Sequence, residues 1–197
     1  MDRGATPEQA PARAAEAVRG GVDWIQVREQ QMPDAALLAL VDAVAAAVRA
    51  AAGGRELRVL VNRRLDVALA AGADGVHLGS NAVPPAVARR LLPPGALLGV
   101  STHSPEEALA ARQVDYLQLA PVYAPLSKPA ERPALGLAAL AAAAAGPVPV
   151  LAQGGIDPRN AAAVVAAGAA GVAVTGAIWL ASDPRAAAAG LREALGG

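Results

Sequence analysis

Short apolar runs rich in β-branched residues alternate along this chain with longer alanine- and leucine-rich segments that have helical periodicity. This alternation is typical of a parallel β-sheet whose strands are connected by helices. Seven segments are predicted as strands, and each ends on a polar residue or a glycine: Trp24–Glu29, Arg58–Asn62, Gly75–Gly79, Leu97–Thr102, Tyr116–Tyr123, Val148–Gly154 and Gly171–Gly176.

Eight segments between and around these strands are predicted as helices. Several begin at a proline that follows a capping residue, as in Ser104-Pro105, Asp157-Pro158 and Asp183-Pro184. The predicted helices are Pro7–Arg19, Asp34–Ala52, Leu65–Ala71, Pro84–Leu92, Pro105–Arg112, Leu137–Ala145, Pro158–Ala167 and Pro184–Leu195. A strand–helix period of about 25 residues fits the units of a (βα)8 TIM barrel of the α/β class.

The first predicted helix has no predicted strand before it, so the expected barrel lacks its first strand. We interpret the opening Met1-Asp2-Arg3 as a start codon assigned too late. The alternative is a true seven-stranded protein. An intact mass of the native protein equal to that of the 197-residue chain would contradict the late start.

Composition limits the functional classes. A chain of 197 residues with 54% hydrophobic content is expected to form a single domain over residues 1–197. Its 17 basic and 17 acidic residues cancel, which argues against nucleic-acid and membrane partners. With no cysteine there is no disulfide, thiol catalyst or thiolate metal site. No apolar run predicts a signal peptide or a transmembrane helix, so a cytoplasmic protein is expected, and a homo-oligomer is compatible with these features.

In α/β barrels the active site lies at the C-terminal ends of the strands, so the residues there are the candidates. The candidates for substrate and phosphate binding are Gln26, Asn62, Arg63, Ser127, Gly154, Gly155, Thr175 and Gly176, and the catalytic candidates are Arg28, Lys128, Ser101 and His103. The glycines would leave backbone amides open to a phosphate, which such barrels bind after their last two strands. Lys128 is the only lysine beside 16 arginines, which favours a phosphate contact by a compact ammonium group.

Structural roles compete with these functional ones. The Gly154-Gly155 pair is also typical of a tight turn, and Gln26 with Arg28 fits a buried polar pair inside a barrel. His77 lies within a strand and fits a core histidine with satisfied hydrogen bonds. Trp24, Trp179 and Tyr116 flank strands and are interpreted as packing residues.

Six ordered segments together resemble the thiamine-phosphate synthase and TenI superfamily: Gln26–Glu29, Leu60–Asn62, Asp74–Gly79, Gly99–Ser104, Ala120–Tyr123 with Ser127-Lys128, and Gln153–Ile156. The resemblance covers nearly the whole chain. It implies a TIM barrel that binds phosphorylated thiazole and pyrimidine. It also implies a transferase of thiamine biosynthesis that joins hydroxymethylpyrimidine diphosphate to thiazole phosphate and releases pyrophosphate.

The resemblance assigns Gln26 and Arg28 to the pyrimidine and diphosphate region, Asn62 to the strand-end amide and Ser101 to a diphosphate-binding hydroxyl. Ser127 and Lys128 match the loop over the phosphates. The two magnesium-binding aspartates of the family fall at Arg63 and Ala82, neither of which ligates magnesium. Other departures are Gln30 for a lysine, Pro125 for a threonine and Gly176 for a serine.

Magnesium is therefore expected as a cofactor only if the synthase mechanism holds despite Arg63 and Ala82. Our hypothesis is a metal-independent phosphate site with Arg63 near the missing ion. It predicts that magnesium tightens diphosphate binding by less than tenfold, about 1.4 kcal/mol.

Two other functions remain open at this point. One is a TenI-type thiazole tautomerase, which needs no magnesium. Its histidine falls at Pro121, so proton transfer would use Glu29 or His103. The other is a non-catalytic regulator that binds a phosphorylated ligand.

Overall fold

The computed structural model describes residues 6–79, 81–124 and 132–196. Over these residues seven strands form one parallel sheet in the order β1 to β7, each paired with its sequence neighbour. The strands are β1 (Trp24–Val27), β2 (Arg58–Asn62), β3 (Gly75–Leu78), β4 (Leu97–Thr102), β5 (Tyr116–Leu119), β6 (Val150–Gln153) and β7 (Gly171–Ala173). The seven predicted strands are thereby confirmed, and β2 and β4 have the predicted bounds. The other predicted strands extend beyond the residues that pair in the sheet. Their last predicted residues lie in the turns that follow the observed strands.

Helices connect the strands, and the first helix follows a short 3-10 turn at Pro7–Gln9. The helices are α1 (Ala10–Arg19), α2 (Asp34–Ala51), α3 (Leu65–Ala70), α4 (Pro85–Leu91), α5 (Pro105–Ala110), α6 (Gly136–Ala144), α7 (Ala161–Ala166), α8 (Gly176–Trp179) and α9 (Pro184–Ala194). No helix of the described ranges has the length and apolarity to cross a membrane.

Three of the helices differ most from the prediction. α1 begins at Ala10 rather than Pro7, because Pro7–Gln9 forms the 3-10 turn. α7 begins at Ala161 rather than Pro158 because the Asp157 carboxylate accepts from the Arg159 N–H (2.9 Å) and Asn160 Oδ1 accepts from the Asp157 N–H (3.0 Å). These bonds form a turn before the helix. α8 was not predicted, because four residues are too short to show a helical period.

The apolar core lies between the outer face of the sheet and the helices. On β2, Val59 and Val61 are fully buried and belong to the same cluster as Leu37 and Val41 of α2. A second cluster joins β5 and β6 to α6 and α7. Each βα unit thus buries one helix face against the strands, as the alternating pattern predicts.

The two edges of the described sheet, β1 and β7, face a groove of about 1040 Å³. Helices α1 and α9 also contribute to its lining, and so do Trp24 and Trp179. Seven strands around such a groove fit a barrel that lacks one strand between its last and first members. This agrees with the truncated TIM barrel expected from the sequence.

Candidate active site

A polar pocket of about 340 Å³ lies at the C-terminal ends of the strands. Its lining includes ten of the twelve predicted site residues: Gln26, Arg28, Asn62, Arg63, Ser101, His103, Gly154, Gly155, Thr175 and Gly176. The other two, Ser127 and Lys128, lie outside the described residues. The curled sheet therefore brings predicted residues from five strand ends, those of β1, β2, β4, β6 and β7, to one place.

Three arginines, Arg28, Arg63 and Arg132, line this pocket. We call them the pocket arginines. In the part of the chain that the structure describes, none of the three forms an ion pair, and no aspartate or glutamate lines the pocket. Three guanidinium charges without a described counter-charge suit a ligand that carries several negative charges.

Arg63 has an unusual backbone. Its φ angle is +65°, in the left-handed region that glycine usually occupies. Its N–H donates to the carbonyl of His77 over 2.7 Å, which fixes the turn after β2 against β3. A non-glycine residue in this conformation costs on the order of 1 kcal/mol, and such residues occur frequently at functional sites.

Two glycine turns also line the pocket. Gly154 and Gly155 have φ angles of +97° and +61°, and a Cβ atom on Gly155 would lie 2.3 Å from the Ala124 carbonyl oxygen. Both glycines are thus required by the packing of this turn. Among the described residues, the N–H groups of Gly155, Gly176 and Ala177 have no hydrogen-bond acceptor, so they are available to an anion.

Polar side chains continue from the pocket into the barrel interior. Asn62 donates to the Gln26 side-chain oxygen (3.2 Å). His77 makes hydrogen bonds with both ring nitrogens, Nδ1 to the Tyr116 hydroxyl (3.1 Å) and Nε2 to Ser101 Oγ (2.8 Å). His77 is 1% exposed, yet it reaches the pocket lining. It is therefore both a satisfied core histidine and part of the site.

Burial lowers the pKa of His77 to about 4, and the nearby Arg28 charge acts in the same direction. The imidazole is therefore neutral at physiological pH. The second histidine, His103, holds its Nδ1 atom 2.7 Å from the Ala120 carbonyl, so Nδ1 carries the proton and donates.

Tyr116 does pack in the interior, as predicted, but packing is not its whole role. It is 2% exposed, its ring meets Trp24 edge-on at 5.1 Å between centroids, and its hydroxyl bonds to His77. The glycine inside predicted strand β4 was the available signal, because a Cβ atom on Gly99 would lie 2.1 Å from the Tyr116 ring.

Two of the polar residues that line the pocket were not singled out by the sequence reasoning. Gln118 is 6% exposed and pairs in register with Ser101, so its position two residues after Tyr116 on β5 could have indicated it. Arg132 follows residues 125–131 and carries no local pattern that would mark it.

A magnesium ion needs oxygen ligands, usually including one or two carboxylates. The described lining of this pocket has guanidinium, amide, hydroxyl and imidazole groups instead. No group of three or more histidine, aspartate or glutamate side chains with metal-binding geometry occurs among the residues searched, which are the described ones. These donors do not fit magnesium.

Comparisons with known proteins identify the family. The family model described as "Thiamine monophosphate synthase" matches residues 1–178. A relative named thiamine-phosphate synthase in Methanoculleus marisnigri is 46% identical over 180 residues, which are 90% of this chain and 83% of the relative. A relative of the same name in Anaeromyxobacter dehalogenans is 47% identical over 186 residues, 93% of this chain and 82% of the relative.

Among solved structures, a thiamine phosphate pyrophosphorylase from Pyrococcus furiosus superposes with a TM-score of 0.84 at 32% identity. The match covers 94% of this chain and 89% of the other.

Proposed function

Because the chain belongs to the thiamine monophosphate synthase family, we propose that it is a thiamine-phosphate synthase that transfers a pyrimidine group to a thiazole phosphate. Its substrates would be hydroxymethylpyrimidine diphosphate and thiazole phosphate, and its products thiamine phosphate and pyrophosphate. A cytoplasmic location is part of the same proposal. The observation that carries it is that three pocket arginines and two glycine turns line the same pocket.

The reaction breaks the bond between the pyrimidine methylene carbon and the diphosphate oxygen, and the electron pair leaves with pyrophosphate. The thiazole nitrogen then gives its lone pair to the methylene carbon. Negative charge grows on the leaving group in the transition state, so cations placed there before reaction lower the barrier. Arg28 and Arg63 are the groups we assign to this task, with the Ser101 hydroxyl as a further donor.

The glycine turns after β6 and β7 suit the second phosphate, that of the thiazole. The open amides of Gly155, Gly176 and Ala177 belong to these turns. Holding the two substrates in one pocket would place the thiazole nitrogen near the methylene carbon, which removes most of the entropy cost of their encounter. Gln26 and Asn62 would orient the pyrimidine, and His103, Lys128 and Ser127 are proposed to complete the site.

The test is to incubate the purified protein with both substrates, with and without a chelator, and to measure thiamine phosphate by mass spectrometry. We expect product in both conditions, at rates within about twofold, because the described donors do not fit magnesium. In parallel, titrated magnesium should tighten pyrophosphate binding by less than tenfold.

Other outcomes separate the alternatives. Product that disappears with the chelator would support the synthase and contradict its metal independence. Isomerisation of thiazole phosphate alone would identify a tautomerase. Binding without turnover of either kind would identify a regulator, and both results would contradict the proposed synthase.

A further inference from the structure

Three neighbouring strands place a continuous hydrogen-bonded layer in the barrel interior beneath the pocket. His77 on β3 is in register with Gly99 on β4, and Gly99 is in register with Tyr116 on β5. Since Gly99 has no side chain, the Tyr116 ring occupies that space and reaches across β4 to His77. A residue with any side chain at position 99 would separate Tyr116 from His77.

The hydrogen bonds of this layer have a defined direction. The Gln26 side-chain oxygen already accepts from Asn62, so the Gln26 amide nitrogen is the end left to face its surroundings. That nitrogen is buried and has no hydrogen bond of good geometry among the described residues. Gln26 therefore supplies no described donor to the Tyr116 hydroxyl.

The Tyr116 hydroxyl is buried, and His77 Nδ1 is the hydrogen-bond partner that the described residues give it, so its proton is satisfied by donation to Nδ1. His77 Nδ1 is then the acceptor, and the proton of the neutral ring lies on Nε2. The Nε2–H donates to Ser101 Oγ over 2.8 Å. Because Ser101 Oγ accepts this bond, its own proton is directed away from His77, and Ser101 lines the pocket.

We propose that Tyr116 and His77 are positioning residues that fix the Ser101 hydroxyl as a donor toward a diphosphate group in the pocket. Neither residue needs to touch the ligand. The proposal deepens the proposed function and rests on it for the identity of the anion. Burial raises the pKa of Tyr116, so the phenol keeps its proton, and it lowers the pKa of His77, so the imidazole stays neutral. Both effects favour donation from the Tyr116 hydroxyl to His77 Nδ1.

Inorganic pyrophosphate is the probe, and calorimetric binding to the full chain is the measurement. Tyr116→Phe keeps the ring that packs against Gly99 and Trp24 and removes only the hydroxyl. We expect Ser101→Ala to weaken pyrophosphate binding about tenfold, since hydrogen bonds to charged groups are strong. Tyr116→Phe should weaken it about threefold. Tyr123→Phe, at the other tyrosine of the chain, is the matched control and should bind as the wild type does.

The double variant Tyr116→Phe/Ser101→Ala decides between positioning and mere packing. If Tyr116 acts through Ser101, the double variant binds pyrophosphate no more weakly than Ser101→Ala alone. The proposal would be overturned if the losses of affinity in the two single variants multiplied in the double variant. It would also be overturned if Tyr116→Phe bound pyrophosphate as the wild type does.

A long-range proton–nitrogen NMR spectrum of the histidine rings gives a second readout that does not depend on catalysis. We expect the Nε2–H tautomer for His77 in the wild type and a mixture of tautomers in Tyr116→Phe. An Nδ1–H tautomer in the wild type would contradict the proposed direction. If Tyr116 and Ser101 are coupled in this way but the protein makes no thiamine phosphate, the proposed function alone is refuted. A wild type that binds no pyrophosphate would contradict both the proposed function and the positioning role.

Discussion

Arg63 combines a strained backbone with one of the pocket charges. At most positions a left-handed φ angle selects glycine or asparagine, which relieve the strain. Here the chain has an arginine at +65°, at the end of β2 in the pocket lining. The arginine is therefore held in this conformation at a cost in free energy that the rest of the fold offsets.

Replacing Arg63 should separate stability from binding. Both Arg63→Gly and Arg63→Ala remove the charge, but only glycine relieves the backbone. We expect Arg63→Gly to unfold with a free energy about 1 kcal/mol higher than Arg63→Ala, by chemical denaturation. Both should bind pyrophosphate at least about fivefold more weakly than the wild type. Equal stability of the two variants would mean that the left-handed backbone is not strained.

His77 makes stability depend on pH. The unfolded histidine takes up a proton near pH 6.5, whereas the folded one does so only near pH 4. Between these values the unfolded state binds more protons, so lowering the pH favours unfolding. The His77 contribution is complete above about pH 6.5 and is lost as the pH falls toward 4, by up to about 3 kcal/mol at 1.36 kcal/mol per pKa unit.

Chemical denaturation at pH 7.5 and pH 4.5 measures this loss. His77→Gln, which cannot titrate, is the control and should lose less stability between the two pH values. A wild type and a variant with the same pH dependence would show that His77 is protonated in the folded state as easily as in the unfolded one.

Site residues were predictable where a strand end alone determines their position. Arg28, Asn62 and Ser101 fall into this class. The contact between Tyr116 and His77 was not predictable, because it depends on how far the sheet curls and on the missing side chain at Gly99. Interpreting Tyr116 as a packing residue was correct for its ring and incomplete for its hydroxyl.

At the scale of elements, the strands were predicted better than the short helices. Seven β-branched runs were each bounded by polar residues or glycines, and the same seven runs form the ladder. The N-terminal cap of α9 was also predictable, from Asp183-Pro184. In the structure the Asp183 carboxylate accepts from the Ala186 N–H over 2.9 Å. α8 has four residues, which are too few to show a helical period in the sequence.

The edge strands should exchange their amide protons faster than the central ones. All residues of β3 and β5 are buried, whereas all residues of β7 are only half-buried. We expect β1 and β7 to show at least about tenfold faster hydrogen exchange than β3 and β5, measured on peptides by mass spectrometry. Equal protection would show that something outside the described residues covers these edges.

At the scale of the whole molecule, charge is distributed unevenly between the two ends of the sheet. Carboxylates just before β1, β3 and β5 pair with arginines, for example Asp115 with Arg89 at 2.5 Å and Asp74 with Arg49 at 3.5 Å. The pocket arginines lie at the opposite end. A chain of zero formal net charge thus carries a positive pocket.

Association with pyrophosphate should therefore depend on salt in spite of the zero net charge. We expect the association rate, measured by stopped flow, to fall about threefold or more between 20 and 200 mM salt, because counter-ions screen the pocket. Arg132→Gln should reduce this dependence. Arg90→Gln changes the net charge equally on the exposed surface of α4 and should leave the dependence unchanged.

The groove between β1 and β7 has a consequence for spectroscopy. Trp24 and Trp179 are the only tryptophans of the chain, and both line that groove. Trp24 is 37% exposed and touches the Tyr116 ring, while Arg13 lies 5.6 Å from the Trp179 ring centre. Tryptophan emission from this protein therefore arises entirely at the opening of the barrel. The wavelength of this emission, and its quenching by a soluble collisional quencher, report how exposed that side of the barrel is to solvent. No added label is needed.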